Sequence, residues 1–483
     1  MSIAVPVISA KSNARWIGAI QVFRVAVQLV GLLLLSRLLS PEDFGLVAMV
    51  SIVTNLAGLL RDMGTAAAVI QKQTLENEII LTAFWLNCII GVALGMGIAG
   101  LSGLLAAIFH APALVGLLLL VSVAFPITGS GTVHQALLER ASRFSVIARV
   151  EIIAALCGLG VALIAAYAGA GAYSLVLQTL AVAVLSTVQL WFASGWRPRW
   201  YWSTARLREL SGFSSNLFAF NIVNYFSRNA DNMVVGRWLG ASSLGAYSLA
   251  YRIMLFPLQN LTVVATRALF PVFSRQQTAP GEMAGLYLRT LSVIAFFTAP
   301  LMAGLFVLRV PFVHVFLGEK WSSVAGLIAW LAPVGFIQSL VSTTGTVFMA
   351  GGRTDTLFRL GVLGAVLQVS SFLIGVHWGV TGVAAGYFIA NLLNALPAFY
   401  FTFRLLDQSA WQLVGAIYRP AAIALLMALA VQAGLYTLGT LALPAIAQLI
   451  ILSGIGALLY FGAAHFGARP VERDVLRLFM SKA

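Results

Sequence analysis

A handful of polar side chains lie inside stretches that are otherwise apolar. Arg24 stands nine residues past Arg15, which on a helix is about 13 Å deep, close to a bilayer midplane. Gln21, Arg24 and Gln28 are spaced i, i+3, i+7 and share one helix face. A second apolar run holds Asn221, Asn224, Arg228, Asp231 and Asn232, all within an arc of about 100° on a helical wheel. Arg252 sits deep in a third run. Ionisable groups inside a membrane span are costly and mark functional positions by default. These deep groups carry a positive surplus, Arg24, Arg228 and Arg252 against Asp231. A surplus arginine at that depth needs water or an anionic ligand beside it. Its planar fork of donors suits phosphate and keeps its charge at any physiological pH. The expectation is a central, water-filled cationic cavity. A structural role is the competing reading. Arg228 and Asp231 at i, i+3 would neutralise each other, Asn and Gln would bond between helices, and Arg37 and Arg237 at helix ends would snorkel to the interface.

The elements that position these groups follow from composition. Of 483 residues, 60% are hydrophobic and 9% charged, with a mean hydropathy of +0.95. Globular proteins carry roughly 25% charged residues, so this chain could not cover a water-facing surface. A soluble enzyme, a nucleic-acid binder and a disordered chain are excluded. The net charge of +14 and pI of about 10.3 reside in short loops between apolar runs, which points to membrane topology. A bilayer core needs about 20 apolar residues as helix. Fourteen spans fit, near 15–37, 43–63, 80–108, 112–134, 150–169, 172–193, 213–236, 243–265, 289–310, 322–348, 358–377, 380–402, 420–440 and 445–465. No ten-residue alternating segments of β-barrel type occur. The fold class is an all-α polytopic membrane protein.

With a cytoplasmic N-terminus, the outer side carries only Arg37, Arg237, Arg309 and Lys320 of the 29 basic residues, apart from the three within spans. That bias places both termini in the cytoplasm. No cleavable signal peptide is expected at Met1–Lys11. The segment Trp196–Arg208 interleaves Trp196, Trp200, Tyr201 and Trp202 with arginines and reads as an interfacial linker. Registers repeat across it. At an offset of 200, Arg37, Leu39 and Gly45 meet Arg237, Leu239 and Gly245. At 214, Gly131-Thr132-Val133 and Ala136 meet Gly345-Thr346-Val347 and Ala350. At 211, Gly171 meets Gly382. Two pseudo-symmetric six-helix lobes follow, residues 1–210 and 211–404, with helices 13 and 14 and a cytoplasmic tail in 405–483.

Catalytic chemistry is not indicated. His110, His134, His314, His377 and His465 lack metal-ligand spacing, and no nucleotide-binding phosphate loop occurs. No cofactor and no metal site are expected. Cys88 and Cys157 read as small core hydrophobes without a disulfide. The in-span prolines Pro126, Pro257, Pro300, Pro333 and Pro397 are kink points or packing features. Gly169–Gly171 and Gly351-Gly352 read as helix caps or tight connections.

The run Ser36-Arg37-Leu38-Leu39-Ser40-Pro41-Glu42-Asp43-Phe44-Gly45-Leu46-Val47-Ala48-Met49 resembles the polysaccharide transporter (PST) family of the MOP flippase superfamily, in its exopolysaccharide and lipopolysaccharide branch. Asp62-Met63-Gly64, Ile70-Gln71-Lys72, Trp85-Leu86-Asn87, Gly379–Ala384 and Asn391 continue the likeness. The resemblance implies a MATE-like arrangement of fourteen helices that works by alternating access. Its implied substrate is an oligosaccharide on undecaprenyl pyrophosphate, flipped across the bacterial inner membrane. Arg24, Arg228 and Arg252 would hold the pyrophosphate, with Gln21, Gln28, Asn221 and Asn224 bonding to pyrophosphate or sugar. Asp231 would carry a coupling ion or, as favoured, position Arg228. Partners would be the lipid-linked oligosaccharide, membrane lipids and a polymerase or export complex. A peptidoglycan-precursor flippase, a small-molecule exporter and a membrane polymerase stand as alternatives.

Overall fold

The computed structural model describes residues 10–61, 65, 69–70, 76–204, 215–275, 280–409, 411–439 and 443–467, with side chains undescribed at 10–22, 24, 215–221, 223–224, 257 and 259–280. Among these residues the regular structure is helical. The helices are α1 (Ala10–Leu38), α2 (Pro41–Arg61), α3 (Asn77–Phe109), α4 (Leu114–Ser122), α5 (Ala124–Arg140), α6 (Phe144–Tyr167), α7 (Tyr173–Ser194), α8 (Ser215–Arg275), α9 (Pro280–Val307), α10 (Arg309–Phe316), α11 (Ser322–Val341), α12 (Thr344–Ala350), α13 (Thr354–Gly375), α14 (Gly379–Leu405), α15 (Trp411–Gly439) and α16 (Ala445–Gly467). Ten stretches of the described residues are long and apolar enough to cross a membrane, and one of them, Thr354–Leu405, holds both α13 and α14. Large apolar side chains such as Ile164, Phe192, Leu458 and Phe466 are largely exposed, as lipid-facing groups are. The protein is an all-α, multi-pass membrane protein.

Several expected spans depart from one helix each. The fourth becomes α4 and α5, which meet at Val123. The seventh and eighth merge into α8, whose helical path is interrupted at Gly240 (φ 80°, ψ 178°). Pro126 falls in the first turn of α5, where a missing N–H costs little, whereas Pro300, Pro333 and Pro397 lie inside helices. Pro420 does too, because α15 begins at Trp411, well before the expected start of that span. Cys157 is exposed rather than in the core, and both cysteines are free. Gly169, Gly171 and Gly352 have positive φ, as caps and tight connections require, but Gly379, the first residue of α14, and not Gly382 carries it in the second unit.

The chain divides into two compact units, residues 1–245 and 246–483. In the first unit α3 packs on α5, α5 on α7, α6 on α7 and α1 on α6. Glycines permit the approach of α3 to α4 and α5. A Cβ at Gly91 would fall 2.7 Å from Phe125 O, at Gly95 2.9 Å from Ser122 O, and at Gly129 2.6 Å from Asn87 O.

The α1–α2 corner shows what the Ser36–Met49 motif does. Ser40 N–H and Oγ–H donate to Asp43 Oδ2 at 2.9 and 2.7 Å, and Asp43 N–H donates back to Ser40 Oγ at 3.2 Å. This is a capping box with Pro41 as the first helical residue. Gly45 lies against Ala241, and Gly245 lies against Pro41. The pairing is reciprocal at the same offset of 200 seen in the sequence, the pattern that a local two-fold axis produces. Val133 and Ala136 are buried like their repeat partners Val347 and Ala350.

In the second unit α13 packs on α14, α9 on α11 and α15, α11 on α14, and α15 on α16. Its cores centre on Tyr287, Leu291 and Phe403 and on Phe296, Leu452 and Tyr460, where Tyr460 Oη–H donates to Phe296 O at 2.8 Å.

Candidate functional site

The first unit places three of the sequence-predicted groups whose side chains are described. Gln28 and Arg228 are exposed, while Asp231 is 3% exposed. Arg228 stands 13 residues into α8, or about 20 Å along it. Among the described residues Arg228 makes no hydrogen bond or ion pair, so it does not neutralise Asp231. Asp231 Oδ1 instead accepts the Asn232 N–H at 2.7 Å. One turn earlier, buried Tyr225 donates its hydroxyl to Ile52 O and ties α8 to α2. The side chains of Gln21, Arg24, Asn221 and Asn224 lie outside the described residues.

Arg252 belongs to the second unit and is also exposed. Its neighbour Tyr251 opens a polar network. Tyr251 Oη lies 3.2 Å from Tyr387 Oη. Gln338 Nε2 donates to Tyr387 Oη and, at 3.0 Å, to Asn391 Oδ1, and Asn391 Nδ2 donates to Tyr387 O at 2.8 Å. In each unit, then, an exposed arginine stands beside a tyrosine that anchors α8. Asn391, quoted above for its family likeness, works here by holding α14 to α11.

The first unit also contains a cavity of about 530 Å³, away from the deep ionisable groups singled out in the sequence. Helix α5 contributes Thr128, Thr132, Gln135 and Glu139, α7 contributes Ser186 and Thr187, and Arg61 at the end of α2 and Thr65 complete its polar lining. The α5 residues are spaced i, i+4, i+7, i+11, so the stripe was readable as one face. Glu139 Oε1 accepts from Gln135 Nε2 at 2.8 Å, and Arg61 Nη1 donates to Thr128 Oγ1 at 2.9 Å. Thr187 Oγ1 donates to Ile127 O at 3.2 Å and Trp191 Nε1 to Ser130 O at 3.0 Å, pinning α7 to α5. Asn87, another motif residue, is buried against Thr65 at 3.1 Å. The Trp196–Arg208 linker packs in part on this unit. Trp196 meets Phe84 and His134, and Trp200 lies 4.5 Å from Trp85 between ring centroids, while residues 205–208 lie outside the described ones. Among the described residues no cluster of three or more His, Cys, Asp or Glu is placed to hold a metal.

The family model described as polysaccharide biosynthesis protein matches residues 34–326. The lipopolysaccharide biosynthesis protein WzxC of Escherichia coli (strain K12) is 28% identical over 392 residues, covering 80% of each chain. The succinoglycan biosynthesis transport protein ExoT of Rhizobium meliloti (strain 1021) is 28% identical over 477 residues, covering 98% of this chain and 96% of its own. The lipid II flippase MurJ in an inward closed conformation superposes with a TM-score of 0.76 at 16% identity, covering 94% of this chain and 99% of that one. That likeness fixes the fold. By the family match, the chain belongs to the polysaccharide biosynthesis protein family.

Proposed function

We propose that this protein is a flippase that moves an oligosaccharide repeat unit, linked to a polyprenyl pyrophosphate, from the cytoplasmic to the outer leaflet of the bacterial inner membrane by alternating access. The family match carries this reading, with relatives named for lipopolysaccharide biosynthesis and succinoglycan transport. The exposed arginines Arg228 and Arg252 of α8, which have no ion-pair partner among the described residues, support it, since a guanidinium within an apolar run calls for an anionic ligand. Arg24 joins them as a proposed phosphate-binding group, with Gln21, Gln28, Asn221 and Asn224 as hydrogen-bonding groups and Asp231 as a positioning residue. The two six-helix lobes, 1–210 and 211–404, are proposed as the moving bodies. Both termini are assigned to the cytoplasm on the lysine and arginine bias. A polymerase or export complex would take the product.

Likeness to the lipid II flippase favours one second reading, translocation of a peptidoglycan precursor. One experiment separates the two. In cells lacking this protein, the leaflet that holds the polyprenyl-pyrophosphate oligosaccharide is determined. Full repeat units trapped on the cytoplasmic leaflet, with peptidoglycan synthesis unaffected, are expected. Repeat units reaching the outer leaflet at the normal rate would refute the proposal, and a stop in peptidoglycan synthesis would favour the second reading.

A further inference from the structure

The cavity of the first unit has no part in pyrophosphate binding as described above, and its chemistry is not that of a phosphate site. One arginine and one glutamate, Arg61 and Glu139, face it. A phosphate would meet the carboxylate and a metal cation would meet the guanidinium, so neither gains. Its volume of about 530 Å³ lies within the roughly 300–1,000 Å³ of small-molecule sites. That is far beyond the ~30 Å³ share of one water.

The hydrogen-bonding pattern narrows the ligand. The hydroxyl protons of Thr128, Thr132 and Thr187 are committed to backbone carbonyls, Ala124 O at 2.9 Å, Thr128 O at 3.1 Å and Ile127 O at 3.2 Å. The oxygens of Thr132 and Thr187 are therefore left to accept. Gln135 gives Nε2 to Glu139 Oε1, which leaves the amide oxygen and the second carboxylate oxygen as further acceptors. A ligand that fits must supply several O–H donors and carry no net charge, and must also offer acceptors to the remaining amide N–H of Gln135. Neutral polyols meet all of these conditions. Thr128 and Glu139 are eleven residues apart on α5, so the polar stripe runs about 16 Å along the helix, long enough for more than one sugar ring.

We infer that this cavity is a glycan subsite that holds one or two neutral sugar residues of the lipid-linked oligosaccharide. The inference rests on the translocation reading above. The test uses the full chain in proteoliposomes and two probes, a polyprenyl pyrophosphate bearing the complete repeat-unit oligosaccharide and the same lipid bearing a single sugar. Gln135→Leu and Ser186→Ala should each lower the rate ratio of oligosaccharide to single-sugar lipid by about three- to tenfold, the effect of losing one neutral hydrogen bond. Should Gln135→Leu fail to fold by size-exclusion chromatography, the smaller Ser186→Ala change carries the test. An unchanged ratio in folded variants overturns the subsite. Wild-type protein that moves neither lipid overturns the translocation reading itself, a distinct result. Excess lipid-free oligosaccharide should inhibit the wild type more than the variants. Equal inhibition by a free monosaccharide alone would make the cavity a free-sugar site and overturn the assignment.

Discussion

Gly45 and Gly245 offer the sharpest mechanical test of the α1–α2 corner. A Cβ added at Gly45 would overlap Ala241 O and lie 2.9 Å from Ala241 Cα. One added at Gly245 would overlap Pro41 O and lie 2.8 Å from Pro41 C and 2.9 Å from Gly45 N. Real Cβ atoms essentially never come within 3.0 Å of such neighbours, and every neighbour here is backbone, which cannot rotate aside. Overpacking of this kind costs roughly 1–3 kcal/mol where side chains can yield, and more where they cannot. Gly45→Ala and Gly245→Ala should therefore each cost about 3 kcal/mol. At about 2–4 °C per kcal/mol for a unit of this size, the thermal midpoint of the purified protein should fall by roughly 6–12 °C. Gly58→Ala and Gly160→Ala are the controls. A Cβ at either meets nothing within 4 Å, and alanine in a helix gains up to about 1 kcal/mol over glycine, so their midpoints should hold or rise. The double variant Gly45→Ala/Gly245→Ala should lose less than the two single losses together, because both clashes force apart the same pair of segments. A Gly245→Ala protein with a wild-type midpoint would refute the close approach and the local two-fold built on it.

Three further outcomes are expected. Arg228→Ala and Arg252→Ala should each abolish polysaccharide export while the protein remains inserted at normal abundance, measured by polymer yield and membrane immunoblot; normal export in both would remove them from the phosphate-binding set. Tyr225→Phe should cost about 0.5–1.5 kcal/mol, the net worth of one hydrogen bond, seen as a small fall in thermal midpoint; no fall would mean that its bond to Ile52 O contributes nothing. Gln338→Leu leaves Asn391 Oδ1 without its donor in a buried site and should cost about 1–3 kcal/mol by the same assay, with an unchanged midpoint counting against the network.

The membrane class and most helix positions were legible in the sequence, because crossing a bilayer demands about 20 apolar residues and forces every backbone group to be satisfied within a helix. The break at Gly240 was not legible, since α8 remains helical on both sides and only the backbone angles mark the change. Nor was the early start of α15, where Trp411–Arg419 continues the helix ahead of Pro420, a residue that reads from sequence as a helix start. The family motif was legible as a pattern but not as a mechanism. Ser40 and Asp43 are a capping box, Gly45 a contact point, and Asn87 a buried bond to Thr65, so much of what is recognisable in the first ninety residues builds the corner and core of the first unit.

For the site, hydropathy alone singled out arginines that the structure leaves exposed on α8, Arg228 and Arg252, because charge within an apolar run is rare enough to stand out in one dimension. Composition could not say whether Arg228 and Asp231 neutralise each other. Spacing allows an ion pair at i, i+3, and only rotamer and packing decide that one is exposed and the other buried. The α5 stripe was readable as one face, but the cavity between α5 and α7 was not, for a related reason. Its threonines, serine and glutamine are unremarkable singly, and they become a site only when two helices far apart in the chain bring their polar faces together. Sequence thus determined the solvent, the secondary structure and the sign of the deep charge, which are local properties. Tertiary structure decided which polar groups share a space, which depends on contacts between residues distant along the chain.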